Sequence, residues 1–172
     1  MSSTFATKVT MKGNPVTLAG REIEVGQMAP EFTLTANDLS EFKLSSLKGK
    51  KVILSVVPSL DTGICDLQTK RFNKEAANLG NDVVILTISM DLPFAQKRWC
   101  GATGVDKLKT LSDHRDANFG EKYGVLIKGL RLLIRAIFIV DTKGAVAYKQ
   151  IVPEITTEPN YDEVLNALKK VQ

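Results

Sequence analysis

Three stretches of the chain are continuously apolar and rich in β-branched residues: KVILSVV (51–57), DVVILTISM (82–90) and RAIFIVD (135–141). Short, unalternating runs of this kind read as strands buried on both faces at the centre of a sheet. A fourth stretch, AVAYKQI (145–151), follows the turn TKG and alternates. Period two is the pattern of a strand with one face toward solvent. The opening TKVTMKGNPVTLAG alternates around KGNP and predicts a β-hairpin, as an N-terminal extension over residues 1–20. In PEFTLTANDLSEFKLSSLKGK the alternation is short and broken by polar turns, which predicts no more than an edge strand and a short helix. Helical spacing covers 62–79, roughly 93–100, 114–123 and 160–171. Strands alternating with helices predict an α/β fold with a mixed sheet. The 172 residues contain no internal repeat and no linker, so one domain over 1–172 with a substantial core is expected.

Composition narrows the classes of function. An apolar fraction of 44% and a charged fraction of 24% are ordinary globular values. No apolar run approaches the ~20 residues of a membrane span. The first residues, MSSTFATKVTMKGNPV, have no apolar h-region, so no secretory signal is read and the cytoplasm is the expected compartment. The net charge is +4. The basic residues are scattered, which fits a solvated surface better than a field for anionic partners. Aromatic residues do not interleave with them, so no nucleic-acid partner is expected, and without a long apolar run no membrane partner is expected. Two cysteines 35 positions apart and one histidine cannot form a Cys/His zinc cluster without carboxylates. There is no CxxC, no P-loop and no GxGxxG. His114, in LSDHRDANFG, reads either as a base for a cysteine or, more ordinarily, as a loop or helix-cap histidine.

The chemistry concentrates at PSLDTGIC (58–65), where a buried strand runs into a proline, a turn and a cysteine. Thr62 suits a helix N-cap, which makes Cys65 the N3 residue, its amide within reach of the threonine oxygen. At about 100° per residue, Cys65, Gln68, Phe72 and Ala76 fall on one inward face. Cys65 therefore reads as a small core hydrophobe or as a thiol at the positive end of a helix, where a thiolate is favoured. A thiol of ordinary pKa ~8.5 is only a few per cent ionised at neutral pH, so a nucleophile needs a further cation. Cys100, in LPFAQKRWCGATG, lies between Pro93, suited to a helix start, and Gly101, suited to its end. That is the negative end, which favours the thiol. The two cysteines read either as unrelated buried thiols or as an attacking and a condensing pair. If both helices are intact, a bond between them requires local unfolding, because a disulfide needs Cα atoms within ~7 Å.

Pro58, Thr62 and Cys65 match the peroxiredoxin signature PxxxTxxC at every fixed position. Together with APEFTL, RWCGATGV, LSDHRDANFGEKYGV, LLIRAIFIVDTKG and VPEITTEPNYDEVLNAL, the chain resembles the bacterial thiol peroxidase branch of that family over nearly its whole length. The resemblance implies a thioredoxin-like fold, a central mixed sheet flanked by helices with an N-terminal hairpin. It implies that Cys65 attacks a hydroperoxide and becomes a sulfenic acid. Arg135, directly before the strand AIFIV, would stabilise the thiolate and bind the peroxide oxygens, in preference to Arg131. Thr62 would offer its hydroxyl to sulfur and peroxide, Pro58 would shield the sulfenic acid, and Gln68 would orient the arginine. Cys100 would resolve the sulfenic acid as an intramolecular Cys65–Cys100 disulfide, recycled by an external thioredoxin-like dithiol protein. A homodimer is implied, and no cofactor is required. Leu60 and Ile64 fit a pocket that accepts organic hydroperoxides as well as hydrogen peroxide. A redox sensor using the same disulfide and a protein thiol–disulfide oxidoreductase are the competing readings; the 35-residue spacing argues against the latter.

Overall fold

The computed structural model describes residues 5–172, so the first four residues of the expected N-terminal extension lie outside the described residues. The expected hairpin forms between β1 (Thr10–Met11) and β2 (Asn14–Pro15). Its two-residue turn places Lys12 and Gly13 at φ 51° and 80°, the positive values that a tight hairpin with matching strand twist demands. The segment then departs from a simple hairpin. Strand β3 (Leu18–Ala19) leaves it to pair with a strand more than a hundred residues away.

The stretch expected to hold an edge strand and a short helix holds β4 (Thr33–Thr35), β5 (Glu41–Lys43) and a 3-10 turn over Leu44–Leu47. The buried runs then follow. Strand β6 is Lys51–Val56, helix α1 Gly63–Ala76, strand β7 Val83–Ser89 and helix α2 Pro93–Thr103. After them come β8 (Lys109–Ser112), α3 (Asn118–Lys122), β9 (Leu126–Ile127), β10 (Leu132–Leu133), β11 (Ala136–Val140), β12 (Val146–Ile151) and α4 (Tyr161–Lys170). The main sheet has seven strands in the order β12-β11-β6-β7-β8-β4-β5. β6, β7 and β8 are parallel; β11 and β12 run antiparallel on one side, β4 and β5 on the other. The three apolar runs are thus β6, β7 and β11, adjacent at the sheet centre, and the alternating run is the edge strand β12.

Three helix boundaries differ from the spacing. α1 stops at Ala76, where the amides of Asn78 and Leu79 turn back to the carbonyls of Glu75 and Ala76. α3 is only five residues long. The Asp113 carboxylate accepts from the amides of Phe119 and Gly120, and Ala117 sits at φ 51°, so the stretch 114–117 is a turn. α2 runs past Gly101 to Thr103, because Gly104, not Gly101, adopts the left-handed terminating conformation.

The core has two sides. One is built from Phe32, Tyr123, Phe119 and Phe138 with the inner residues of β6, β7 and β8. The other packs Phe72 of α1 and Val164 and Leu168 of α4 on Ile53, Ile137 and Ile139. Sheet pairing then brings distant segments to one end. Val56 lies opposite Ala136 and beside Ile88, Ala136 lies opposite Ile151, and Ser89 lies beside Ser112. The residues just beyond these positions are 57–62, 135, 152–155, 90–91 and 113–114, and they all meet at that end.

Candidate active site

Cys65 occupies the first turn of α1, as its spacing predicts, and is fully buried. It packs with Val57, Leu60, Trp99 and Val105 in an apolar cluster to which Cys100 also contributes. Of the other inward residues, Gln68 and Phe72 are likewise buried and Ala76 is half-buried.

Arg135 is the dominant feature of the site. It is 2% exposed, although guanidinium groups are among those least often buried. Its Nε donates to the Ile155 carbonyl at 2.9 Å, its Nη1 to Gln68 Oε1 at 2.9 Å and its Nη2 to Cys65 Sγ at 3.4 Å. Gln68 is itself fixed, donating through Nε2 to Ser55 Oγ of β6 at 2.8 Å. Guanidinium carries five N–H donors, so these three bonds leave two for a bound molecule. Among the described residues no carboxylate forms an ion pair with Arg135. A buried, permanently charged group without a counter-ion is costly. The group it touches that can carry a negative charge is the Cys65 sulfur. The competing Arg131 is exposed in the turn between β9 and β10, at φ 52°.

Thr62 is the N-cap residue by backbone, but its side chain does not cap. The hydroxyl donates instead to the Ser59 carbonyl at 2.9 Å. The expected acceptance from the Cys65 amide is therefore absent, because the turn ahead of the helix offers the hydroxyl a nearer carbonyl. The first-turn amides are left without a side-chain acceptor at the positive end of the helix. Pro58 is buried just past the end of β6.

Both thiols are free. Cys100 lies in the last turn of α2, half-buried, and lines a cavity of about 350 Å³ with Asn37, Phe42 and Thr110. Its Sγ is 3.5 Å from Thr110 Oγ1, which donates its one proton to Asn37 Oδ1 at 3.1 Å. With its proton directed to Asn37, Thr110 Oγ1 is placed to accept from the Cys100 thiol. The neighbouring Trp99 donates through Nε1 to Asp66 Oδ1 at 3.1 Å, tying α2 to the first turn of α1.

His114 contacts neither cysteine by hydrogen bond; its Nδ1 lies 2.9 Å from Ser112 Oγ. That hydroxyl gives its proton to the Asp91 carbonyl, so Nδ1 carries the hydrogen. Its role is local, in line with the more ordinary of its two readings. Sequence reasoning missed Ser55, Asp66 and Asp91. Ser55 was findable as the polar residue within KVILSVV.

The redoxin family model matches residues 24–165. A thiol peroxidase of Bacillus subtilis is 57% identical over 162 residues, covering 94% of this chain and 96% of that protein. A thiol peroxidase of Oceanobacillus iheyensis is 59% identical over 162 residues, covering 94% and 98%. Among solved structures, a peroxiredoxin-like protein from Aquifex aeolicus superposes with a TM-score of 0.90 at 48% identity, over 96% of this chain and 97% of that one. A thiol peroxidase from Chromobacterium violaceum, at 20% identity, shares the thioredoxin-like fold with a TM-score of 0.85 over 96% and 97%. The chain belongs to the redoxin family, in the thiol peroxidase branch of the peroxiredoxins, and is a thiol-dependent peroxidase.

Proposed function

We propose that the chain reduces hydroperoxides with Cys65 as the attacking thiolate and Cys100 as the resolving thiol. The Cys65 sulfur attacks the terminal oxygen of ROOH; the O–O bond breaks, ROH leaves after taking a proton, and Cys65 becomes a sulfenic acid. Arg135 faces the charge on sulfur, and its two remaining N–H donors are available to the peroxide oxygens as the leaving oxygen becomes negative. Thr62 and Pro58, both in the turn before α1, are assigned the roles of offering a hydroxyl to the peroxide and shielding the sulfenic acid. Cys100 then condenses with the sulfenic acid, forming the disulfide and releasing water. An external thioredoxin-like dithiol returns both thiols and is itself oxidised.

The observation that carries this reading is the buried Arg135, fixed by Gln68 and Ile155 and bonded to Cys65 Sγ without a carboxylate partner. The apolar wall of Val57, Leu60 and Trp99 around Cys65 favours organic hydroperoxides alongside hydrogen peroxide. Catalytic efficiency on cumene hydroperoxide should at least equal that on hydrogen peroxide, and a strong preference for hydrogen peroxide would sink this specificity. A homodimer and a cytoplasmic location complete the reading. Leu92 and Phe94, 55% and 66% exposed at the start of α2, offer apolar surface for a second copy. Light scattering at the monomer mass would refute the dimer.

The test is continuous peroxide consumption with a thioredoxin, its reductase and NADPH. The wild type should turn over, and Cys65→Ser should not. A redox sensor would react once per oxidation and stop.

A further inference from the structure

Asp91 lies two residues past the end of β7 and immediately before the backbone N-cap of α2, Leu92. A carboxylate at the N-cap itself would accept from the first amides of the helix; Asp91 stands one position earlier, and α2 has no side-chain cap. The Asp91 side chain turns to the loop that precedes Cys65. Its Oδ1 accepts from Ser59 Oγ at 2.6 Å, and its Oδ2 accepts from the Leu60 amide at 2.8 Å and from Ser89 Oγ at 2.6 Å. Short bonds to an ionised acceptor are the strong ones. No cation among the described residues forms an ion pair with Asp91, so its charge is met by these neutral donors.

The loop residue it grips is a hub. Ser59 Oγ accepts from the Asp61 amide at 3.2 Å. The Ser59 carbonyl accepts from the Thr62 amide at 3.2 Å and from the Thr62 hydroxyl at 2.9 Å. Thr62 in turn accepts the first helical bond of α1, from the Asp66 amide at 3.0 Å. Asp91 itself is anchored, its amide donating to Ser89 Oγ and its carbonyl accepting from Ser112 Oγ of β8. A fixed point on two central strands thereby sets the turn that carries Thr62 and launches the helix of Cys65.

We propose that Asp91 is a positioning residue for peroxide reduction, acting through Ser59 to hold Thr62 and the first turn of α1 in the pose that aligns a hydroperoxide with Cys65. The proposal rests on Cys65 being the attacking sulfur. Its action is on alignment, so it should separate two reactions of the same sulfur. Attack on a peroxide needs the O–O bond in line with sulfur and donors. Alkylation by iodoacetamide needs only an accessible thiolate.

The test measures both second-order rates for Cys65 in a Cys100→Ser background, for Asp91→Asn and for the gentler Ser59→Ala. The amide introduced by Asp91→Asn would present a donor where the carboxylate accepts. This variant is expected to slow reaction with cumene hydroperoxide at least tenfold while alkylation stays equal or rises. Ser59→Ala should show the same split, and the double variant should lose less than the product of the two. Peroxide rates within twofold of the parent in both single variants would overturn the proposal. So would a parallel fall of both rates, or an effect of Asp91→Asn with none of Ser59→Ala. A parent protein whose Cys65 does not react with peroxide would instead refute the assignment of the attacking sulfur.

Discussion

Replacing Arg135 with methionine tests the electrostatic reading of the site most sharply. Methionine keeps much of the length and apolar bulk and removes the charge. The Nη2–Sγ contact at 3.4 Å is lost. A hydrogen bond to a charged group is worth about 1.5–3 kcal/mol. At about 1.4 kcal/mol per tenfold, loss of the thiolate bond alone slows attack by roughly 10- to 150-fold. Loss of the donors left for the peroxide adds to this, so a fall of at least about 100-fold is expected. Stability should change less favourably than an apolar replacement suggests. The Ile155 carbonyl and Gln68 Oε1 lose their donors, at about 1–3 kcal/mol for each buried acceptor left unsatisfied. The assay is the second-order rate of Cys65 oxidation under single-turnover conditions, with folding checked by circular dichroism and a denaturant midpoint. Arg135→Lys keeps the charge but cannot make three divergent bonds, so it should recover only part of the rate. If folded Arg135→Met reacts within threefold of wild type, the argument from the buried cation is wrong.

Cys100→Ser should consume about one equivalent of peroxide and then stop, with oxygen accumulating on Cys65 in the intact mass; sustained turnover with thioredoxin would contradict it. Trp99→Phe keeps the apolar bulk and removes the bond to Asp66 that ties α2 to α1. At about 1 kcal/mol for such a bond, disulfide formation followed by quenched-flow alkylation should quicken by about fivefold, and an unchanged or slower rate would count against the tie. Burial pushes the Asp113 carboxyl up from the ordinary 3.8 to about 6, against the lowering effect of the amides it accepts from. Because the folded value lies above the unfolded one, its stabilising contribution is full below about pH 4 and lost as pH rises through about 6. The stability of wild type relative to Asp113→Asn, from denaturant midpoints, should therefore fall between pH 4 and 7; a flat difference would refute the shift.

The central strands are legible because burial on both faces leaves a simple mark: β6, β7 and β11 match KVILSVV, DVVILTISM and RAIFIVD to within a residue or two at each end. β8, β9 and β10 leave no such mark. They are two to four residues long, too short for a period, and owe their existence to partners distant in sequence. The end of α2 is ambiguous in sequence because two glycines follow Cys100 closely and only the backbone shows which one is left-handed. Of the site, the inward face of α1 is readable from helical spacing. Resemblance selects the arginine, and the sheet pairing of Ala136 with Val56 supplies the physical reason that Arg135 reaches Cys65. The hydroxyl of Thr62 illustrates what spacing cannot give. N-cap and turn bonds compete for the same group, and the neighbouring Ser59 carbonyl decides between them.

The most direct test of the central claim is the intact mass and peptide map of reduced protein treated with one equivalent of hydroperoxide. The account predicts the loss of two hydrogens and a single cross-linked peptide pair joining Cys65 to Cys100. Recovery of both thiols in alkylatable form after the peroxide has been offered would contradict it.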